Sequence, residues 1–186
     1  AIENTIKSCD VVIYNIGIIR EFKSSGITYE KLHFEGAKLA IDISKKNNIN
    51  RFIMMSANGV KSNGTGYQKT KYNAELYLKE NLCEWTIIRP SLIFGASNGK
   101  KEFCSELKKD MLSLPFPAPA FFKGLNILSA GKFKMSPIHI KDVSKIFVDC
   151  IEDDYSFKKI YKLGGEDFSW IEIIDIISSS YGKKKF

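Results

Sequence analysis

Tyr67 and Lys71 stand four residues apart in the run Tyr67-Gln68-Lys69-Thr70-Lys71, a spacing that puts both side chains on one face of a helix. A free phenol has a pKa of about 10. An ammonium beside it favours the phenolate, so the hydroxyl exchanges its proton nearer neutral pH, which is acid–base chemistry on a substrate hydroxyl or carbonyl. In a lysine-rich chain the same spacing also describes an ordinary surface helix with a half-buried tyrosine. Ser56 closes the apolar run Arg51-Phe52-Ile53-Met54-Met55 and is followed by a glycine-rich loop. Its hydroxyl is placed either to hold a substrate oxygen beside Tyr67 or to cap a turn. Ser62, on the same loop, is open to the same reading.

These residues need elements to hold them. Residues 2–8 read as a short helix and Val11-Val12-Ile13 as a β-branched strand running out at Gly17. Residues 29–46 place Leu32, Ala37, Ala40, Ile41 and Ile43 near helical period, and Asn47-Asn48 ends that helix. A strand over 51–56, a loop over 58–66, a helix over 67–81 and a strand over 85–88 stopped by Pro90 follow. Further on come a helix over 102–114, an irregular proline-rich stretch over 115–119 and an extended piece over 133–140. A helix over 142–151, a strand near 160–163 and a helix over 169–180 close the chain. Short apolar strands alternating with amphipathic helices predict a parallel sheet covered on both faces. Such sheets bind ligands at the carboxyl ends of their strands, here residues 15–17, 56–58 and 89–91.

Composition excludes several classes. With 186 residues, 44% hydrophobic and 26% charged, the chain has the make-up of a globular domain and not of a disordered one. No apolar run approaches the ~20 residues of a membrane-spanning helix, and residues 1–10 lack the pattern of a signal peptide. The net charge of +7 comes from scattered lysines, and Arg20, Arg51 and Arg89 are the three arginines. Nucleic-acid readout favours clustered arginine, so no nucleic-acid partner is expected. Cys9, Cys83, Cys104 and Cys150 are widely spaced, and with His33 and His139 far apart no metal site is expected. Reduced thiols fit a cytoplasmic location.

The ordered motifs carry a family resemblance. They are Asp10-Val11-Val12-Ile13-Tyr14-Asn15-Ile16-Gly17, Tyr29-Glu30-Lys31-Leu32-His33-Phe34-Glu35-Gly36, the 51–57 strand, and Tyr67 with Lys71. Trp85-Thr86-Ile87-Ile88-Arg89-Pro90-Ser91-Leu92-Ile93-Phe94-Gly95, Pro137-Ile138-His139-Ile140-Lys141-Asp142-Val143 and Tyr161-Lys162-Leu163-Gly164-Gly165 follow in order. The chain resembles an extended or atypical short-chain dehydrogenase/reductase of the NAD-dependent epimerase/dehydratase kind. Within that superfamily it is most similar to the branch containing the nucleotide-binding accessory subunit of respiratory complex I.

The resemblance implies a Rossmann-like, doubly wound parallel sheet with the start of a small substrate-capping region, and NAD or NADP as cofactor. Tyr67 is then the proton donor or acceptor. Lys71 bonds the nicotinamide ribose and lowers the Tyr67 pKa, and Ser56 orients the substrate oxygen. Gly17 lets the cofactor approach, while Pro90 and Ser91 line the nicotinamide face.

The glycine-rich turn that cradles the pyrophosphate after the first strand of such folds has no counterpart here, since Gly59, Gly64 and Gly66 follow a later strand. The expectation is a fragment: residues 1–186 form one partial NAD(P)-binding domain without its first strands, and 100–186 contribute to the substrate region. His33 stands where many relatives place a catalytic Asn, and a buried structural role is the alternative for it and for His139. Asp142 is expected at a helix start, and Phe121, Phe122 and Phe133 in a substrate lid or in core. Two functions follow from the resemblance. One is an NAD(P)-dependent oxidoreductase or epimerase acting on a small molecule; the other is a non-catalytic NAD(P)-binding subunit of a larger assembly.

Overall fold

The structure, a computed structural model, describes residues 2–95, 103–109, 129–180 and 182. In chain order its main elements are α1 (Ile2–Ile6), β1 (Val11–Tyr14), a π-helical turn (Glu30–Glu35) leading into α2 (Gly36–Lys46), β2 (Arg51–Met55), α3 (Gly66–Asn81) and β3 (Glu84–Pro90). Then come β4 (Ile93–Phe94), α4 (Phe103–Leu107), β5 (Lys134–Met135), β6 (Ile138–His139), α5 (Ile140–Asp149), β7 (Lys159–Leu163), β8 (Phe168–Ser169) and α6 (Trp170–Ser179). The later part of the helix expected over 102–114, the 115–119 stretch, Phe121 and Phe122 lie outside the described residues.

The chain forms two compact units. The first comprises residues 1–90 and 145–163. It holds a sheet of order β1-β2-β3-β7 in which every pair is parallel. Phe52 and Met54 of β2, Trp85 and Ile87 of β3 and Tyr14 of β1 face a core filled by Ala37, Ala40 and Ile41 of α2 and Ala74 and Leu78 of α3. Full burial of side chains such as Phe52, Ile41 and Leu78 contributes about 1.5–3 kcal/mol apiece. On the opposite face Ile53, Thr86 and Ile88 are equally buried, so the central strands read as continuous apolar runs. β1 is an edge strand, and its Ile13 is 41% exposed.

Arg51 joins distant parts of this unit from inside the fold. It is 5% exposed and donates to the Glu84 carbonyl (2.8 Å), Thr86 Oγ1 (2.9 Å), Ser156 Oγ (2.7 Å) and the Cys150 carbonyl. Its guanidinium also lies 4.6 Å from the Phe157 ring centroid.

Two local departures from the expected pattern have physical reasons. The helix expected over 29–46 begins as a π-helical turn: the Gly36 N–H reaches the Lys31 carbonyl five residues back. The Tyr14 hydroxyl donates to the Leu32 carbonyl at 2.7 Å, and a Cβ on Gly36 would meet that hydroxyl at 2.6 Å. Only glycine fits there. The strand expected to stop before Pro90 includes it, because Pro90 pairs with Leu163 at the strand's last position and its carbonyl accepts from Asn58 N–H at 2.9 Å. α3 starts with a reciprocal cap in which Thr65 and Gln68 each satisfy the other's backbone.

The second unit comprises residues 91–144 and 164–186. β4 pairs in parallel with β6, and β5 antiparallel with β8. Leu107, Trp170 and Ile174 form its small core, with Phe133 stacked on Trp170 at 5.7 Å. Ser169 and Glu172 cap α6 reciprocally, and Asp142 lies in the first turn of α5. The His139 Nδ1 accepts from the Lys141 N–H at 3.2 Å. A cavity of about 400 Å³ is lined by Phe94, Phe103, Ile138, His139, Phe168 and Ile173 among others.

The parallel, helix-flanked sheet is Rossmann-like and doubly wound, as expected. Its four strands are fewer than the full six-stranded form of that fold.

Candidate functional site

At the carboxyl end of β1 the chain leaves the sheet through Asn15, Ile16 and Gly17. Here the first unit brings three sequence-predicted residues together. A Cβ on Gly17 would lie 3.2 Å from Lys71 Nζ and 3.5 Å from His33 Nε2. A side chain on residue 17 would crowd the amine and the ring, and glycine avoids that. Lys71 is 6% exposed, and one of its three protons goes to the Met55 carbonyl at 3.0 Å. Burial pulls its pKa from 10.5 down to about 8, against the opposing pull of Glu75.

His33 closes the group from behind. The π-helical turn carries it inward, where it is 1% exposed. Its Nδ1 lies 3.1 Å from Thr70 Oγ1, and its Nε2 lies 3.1 Å from the Ile18 nitrogen and 3.0 Å from the Ile18 oxygen. Burial, assisted by Lys71, lowers its pKa from 6.5 to about 4, so the ring is neutral at pH 7.

Tyr67 enters this cluster through its ring. It meets His33 edge-on at 5.0 Å and Tyr29 edge-on at 5.7 Å, while Tyr29 stacks on His33 at 5.2 Å. The Tyr29 hydroxyl donates to the Ile19 carbonyl at 2.9 Å. One expectation fails here. The Tyr67 pKa is raised, not lowered, because burial and the neighbouring Tyr29 disfavour the phenolate, while the Lys71 ammonium is turned onto Met55.

Ser56 is placed away from that expected role. Its hydroxyl is buried and donates to Glu75 Oε1 at 2.5 Å. Glu75 in turn takes a bidentate pair from Arg89, with Nε to Oε1 at 2.8 Å and Nη2 to Oε2 at 2.5 Å. The alternation along α3 explains the split: Lys71 reaches the carbonyl of Met55, and Glu75, one turn later, takes the hydroxyl of the next residue. Ser62 is exposed. Pro90 is buried at the end of β3, and Ser91 is half-buried at the start of the second unit.

Thr70, Glu75 and Tyr29 are the residues that sequence reasoning passed over. Glu75 carried a signal, since it repeats the four-residue step from Tyr67 to Lys71. Thr70 and Tyr29 carried none, because their partners are distant in sequence: His33 of the π-helical turn for Thr70, and Ile19 and Glu21 of the loop after β1 for Tyr29.

The donor set fits the ribose end of a dinucleotide. A cationic donor with hydrogen-bonding capacity beside a side-chain-free glycine suits vicinal hydroxyls. Among the described residues no cluster of His, Cys, Asp and Glu is arranged to hold a metal ion. No helix among them is long and apolar enough to cross a membrane.

Comparison with known proteins agrees. Residues 1–111 match a protein family described as NAD(P)H-binding. The NADH-ubiquinone oxidoreductase 40 kDa subunit, mitochondrial, of Neurospora crassa is 25% identical over 189 residues, covering 100% of this chain and 45% of the relative. NADH dehydrogenase [ubiquinone] 1 alpha subcomplex subunit 9, mitochondrial, of Dictyostelium discoideum is 24% identical over 179 residues, covering 95% and 46%. The chain thus spans less than half the length of these curated relatives. Among solved structures, UDP-glucuronic acid 4-epimerase from Bacillus cereus, in complex with UDP-glucuronic acid and NAD, superposes with a TM-score of 0.76 at 20% identity. That match covers 98% of this chain and 63% of the epimerase. The dTDP-4-dehydrorhamnose reductase of Bacillus anthracis, in complex with NADP, gives a TM-score of 0.75 at 15% identity over 100% and 68%. These two likenesses establish the fold.

Proposed function

The chain belongs to the NAD(P)H-binding family, and from that premise we propose that it is the nucleotide-binding subunit of a larger, NADH–quinone oxidoreductase-like assembly. In this reading Lys71, beside Gly17, holds the ribose at the nicotinamide end of NAD or NADP. Bound NAD(P) supplies a hydride donor or acceptor. The observation that carries the reading is the division of labour along α3. The Lys71 ammonium lies directly against Gly17, while the Ser56 hydroxyl, expected to orient a substrate, is bonded to buried Glu75. The two curated relatives, both named as subunits of the ubiquinone-linked enzyme, support it. A cytoplasmic location remains part of the proposal, whereas those two relatives are mitochondrial.

A second reading rests on Tyr67, which lies on the Lys71 side of α3 and packs against His33. It makes the protein an oxidoreductase or epimerase in which a proton passes between the Tyr67 hydroxyl and an oxygen of a small-molecule substrate. Purification of the full-length protein from its own cells distinguishes the two. Co-migration with a larger respiratory assembly, bound NAD(P) and no turnover on a broad carbonyl and sugar-nucleotide panel is the expected result. Turnover that Tyr67→Phe abolishes while sparing cofactor binding overturns the subunit reading in favour of the enzyme.

A further inference from the structure

His33 has more polar neighbours than a buried histidine needs. Its Nε2 is near both the nitrogen and the oxygen of the Ile18 peptide, at 3.1 and 3.0 Å, and its Nδ1 faces Thr70 Oγ1 at 3.1 Å. Thr70 has one hydroxyl proton and a carbonyl to receive it, that of Gly66 at 2.9 Å. Two neutral tautomers are available. With the proton on Nε2, the ring donates to the Ile18 carbonyl and takes the Thr70 proton on Nδ1. The Ile18 N–H then loses its ring acceptor, and the Gly66 carbonyl loses Thr70. With the proton on Nδ1, the ring donates to Thr70, Thr70 donates to Gly66, and the Ile18 N–H donates to the bare Nε2. The second arrangement satisfies every donor and leaves only the Ile18 carbonyl without the ring's N–H, whereas the first leaves the Ile18 N–H unmade, and an unmade buried donor costs about 1–3 kcal/mol.

The ring therefore ties the chain leaving β1 to helix α3. Ile18 follows Gly17, and Thr70 precedes Lys71, so Gly17 and Lys71 are each one peptide bond from an atom held by the same imidazole. Tyr29 stacks on one side of the ring and Tyr67 meets it edge-on, which fixes its plane. The π-helical turn aims the side chain inward, a distortion found often at functional positions.

We propose that His33 is a positioning residue of the NAD(P) site: bridging the Ile18 peptide and Thr70, it sets the separation of Gly17 from the Lys71 amine on which cofactor affinity depends. The inference rests on the NAD(P)-binding reading of the same site. It assigns His33 no contact with cofactor and no proton transfer.

The test is titration of the full-length protein with NADH and with NADPH, read by nucleotide fluorescence, for wild type, His33→Gln, His33→Asn and His33→Phe. The Gln amide oxygen reaches the place of Nε2 and can take the Ile18 N–H, whereas Asn reaches only the place of Nδ1 and Phe neither. His33→Gln is expected to stay within about threefold of wild type, while His33→Asn and His33→Phe weaken binding about tenfold or more. A merely structural role makes affinity follow thermal stability across the three variants. A conserved affinity in His33→Gln at a lowered melting temperature separates the two. ¹⁵N spectra of the imidazole are expected to show a protonated Nδ1 and a bare Nε2. Equal affinity in wild type and His33→Asn, or a proton on Nε2, overturns this inference and leaves the NAD(P) reading intact. No binding by wild type defeats the NAD(P) reading itself, and this inference with it.

Discussion

The Lys71 ammonium donates to the Met55 carbonyl at 3.0 Å, at the last residue of β2 and immediately before Ser56. Both groups are inside the protein, and a charged amine that has left water for one carbonyl oxygen is poorly compensated. The site therefore holds a cation at a cost to the fold, and a ligand offering oxygens to that cation offsets the cost.

Lys71→Met is accordingly expected to stabilise the ligand-free protein. The unfolded chain keeps this proton up to 10.5 and the native state releases it from about 8. The buried charge thus costs on the order of 3 kcal/mol at pH 7, a penalty that fades as pH rises from 8 towards 10.5. After loss of the Met55 hydrogen bond, the net gain is about 1–3 kcal/mol, together with loss of NAD(P) binding. A denaturant melt and an NADH titration read both, and a less stable Lys71→Met protein contradicts the account.

Gly17→Ala inserts a methyl group 3.2 Å from Lys71 Nζ. Stability is expected to change by under ~1 kcal/mol, since Gly17 is exposed and surface substitutions are mild. Cofactor affinity is expected to fall about tenfold. Calorimetric titration with NADPH decides this, and an unchanged Kd would place the nucleotide elsewhere.

Ser56 and Glu75 are expected to behave as structural residues. Ser56→Ala removes a hydrogen bond to a buried carboxylate and costs about 2 kcal/mol without changing NAD(P) affinity. Glu75→Gln leaves Arg89, whose side chain is 15% exposed, without its carboxylate, at about 3–5 kcal/mol. Thermal melts rank the two variants. A Ser56→Ala protein as stable as wild type but with impaired turnover would restore the substrate-orienting role.

Acid is expected to weaken the fold through His33. The unfolded imidazole takes a proton near 6.5 and the native one near 4, so more protons bind to the unfolded chain across that window. Stability is lost as pH falls from 6.5 to 4 and stays level below, by on the order of 3 kcal/mol. Lys71, Glu21, Tyr29 and Tyr67 surround the ring, and of these Lys71 strengthens the effect while Glu21 opposes it. In His33→Gln the slope over this window should flatten, as denaturant melts between pH 4 and 7 can measure.

Much of the fold was legible because strand burial and helix period leave local marks. The runs at 11–14, 51–55 and 159–163 and the helix ended by Asn47 are written in neighbouring residues. The π-helical turn was not, since nothing between Tyr29 and Gly36 announces the Tyr14 hydroxyl that arrives from β1. At the site, Tyr67 and Lys71 stood out by spacing, but the direction of the Tyr67 pKa depends on burial and on Tyr29, which only packing reveals. The partner of Ser56 was hidden for the same reason: it is a carboxylate 19 positions away.

The Arg51 guanidinium, finally, bears on the order in which the chain acquires its shape. Its partners Cys150 and Ser156 lie 99 and 105 residues further on, so closing that contact carries a loop entropy cost of about 4 kcal/mol. Until residues 150–156 have been synthesised, Arg51 has no carbonyl to receive it from that side, and β3 has no β7 along its edge. A nascent chain halted before residue 150 thus leaves Arg51 with only its Glu84 and Thr86 partners and β3 with an open edge. The strands β1 to β3 wait on residues 150–163 before the four-stranded sheet is complete.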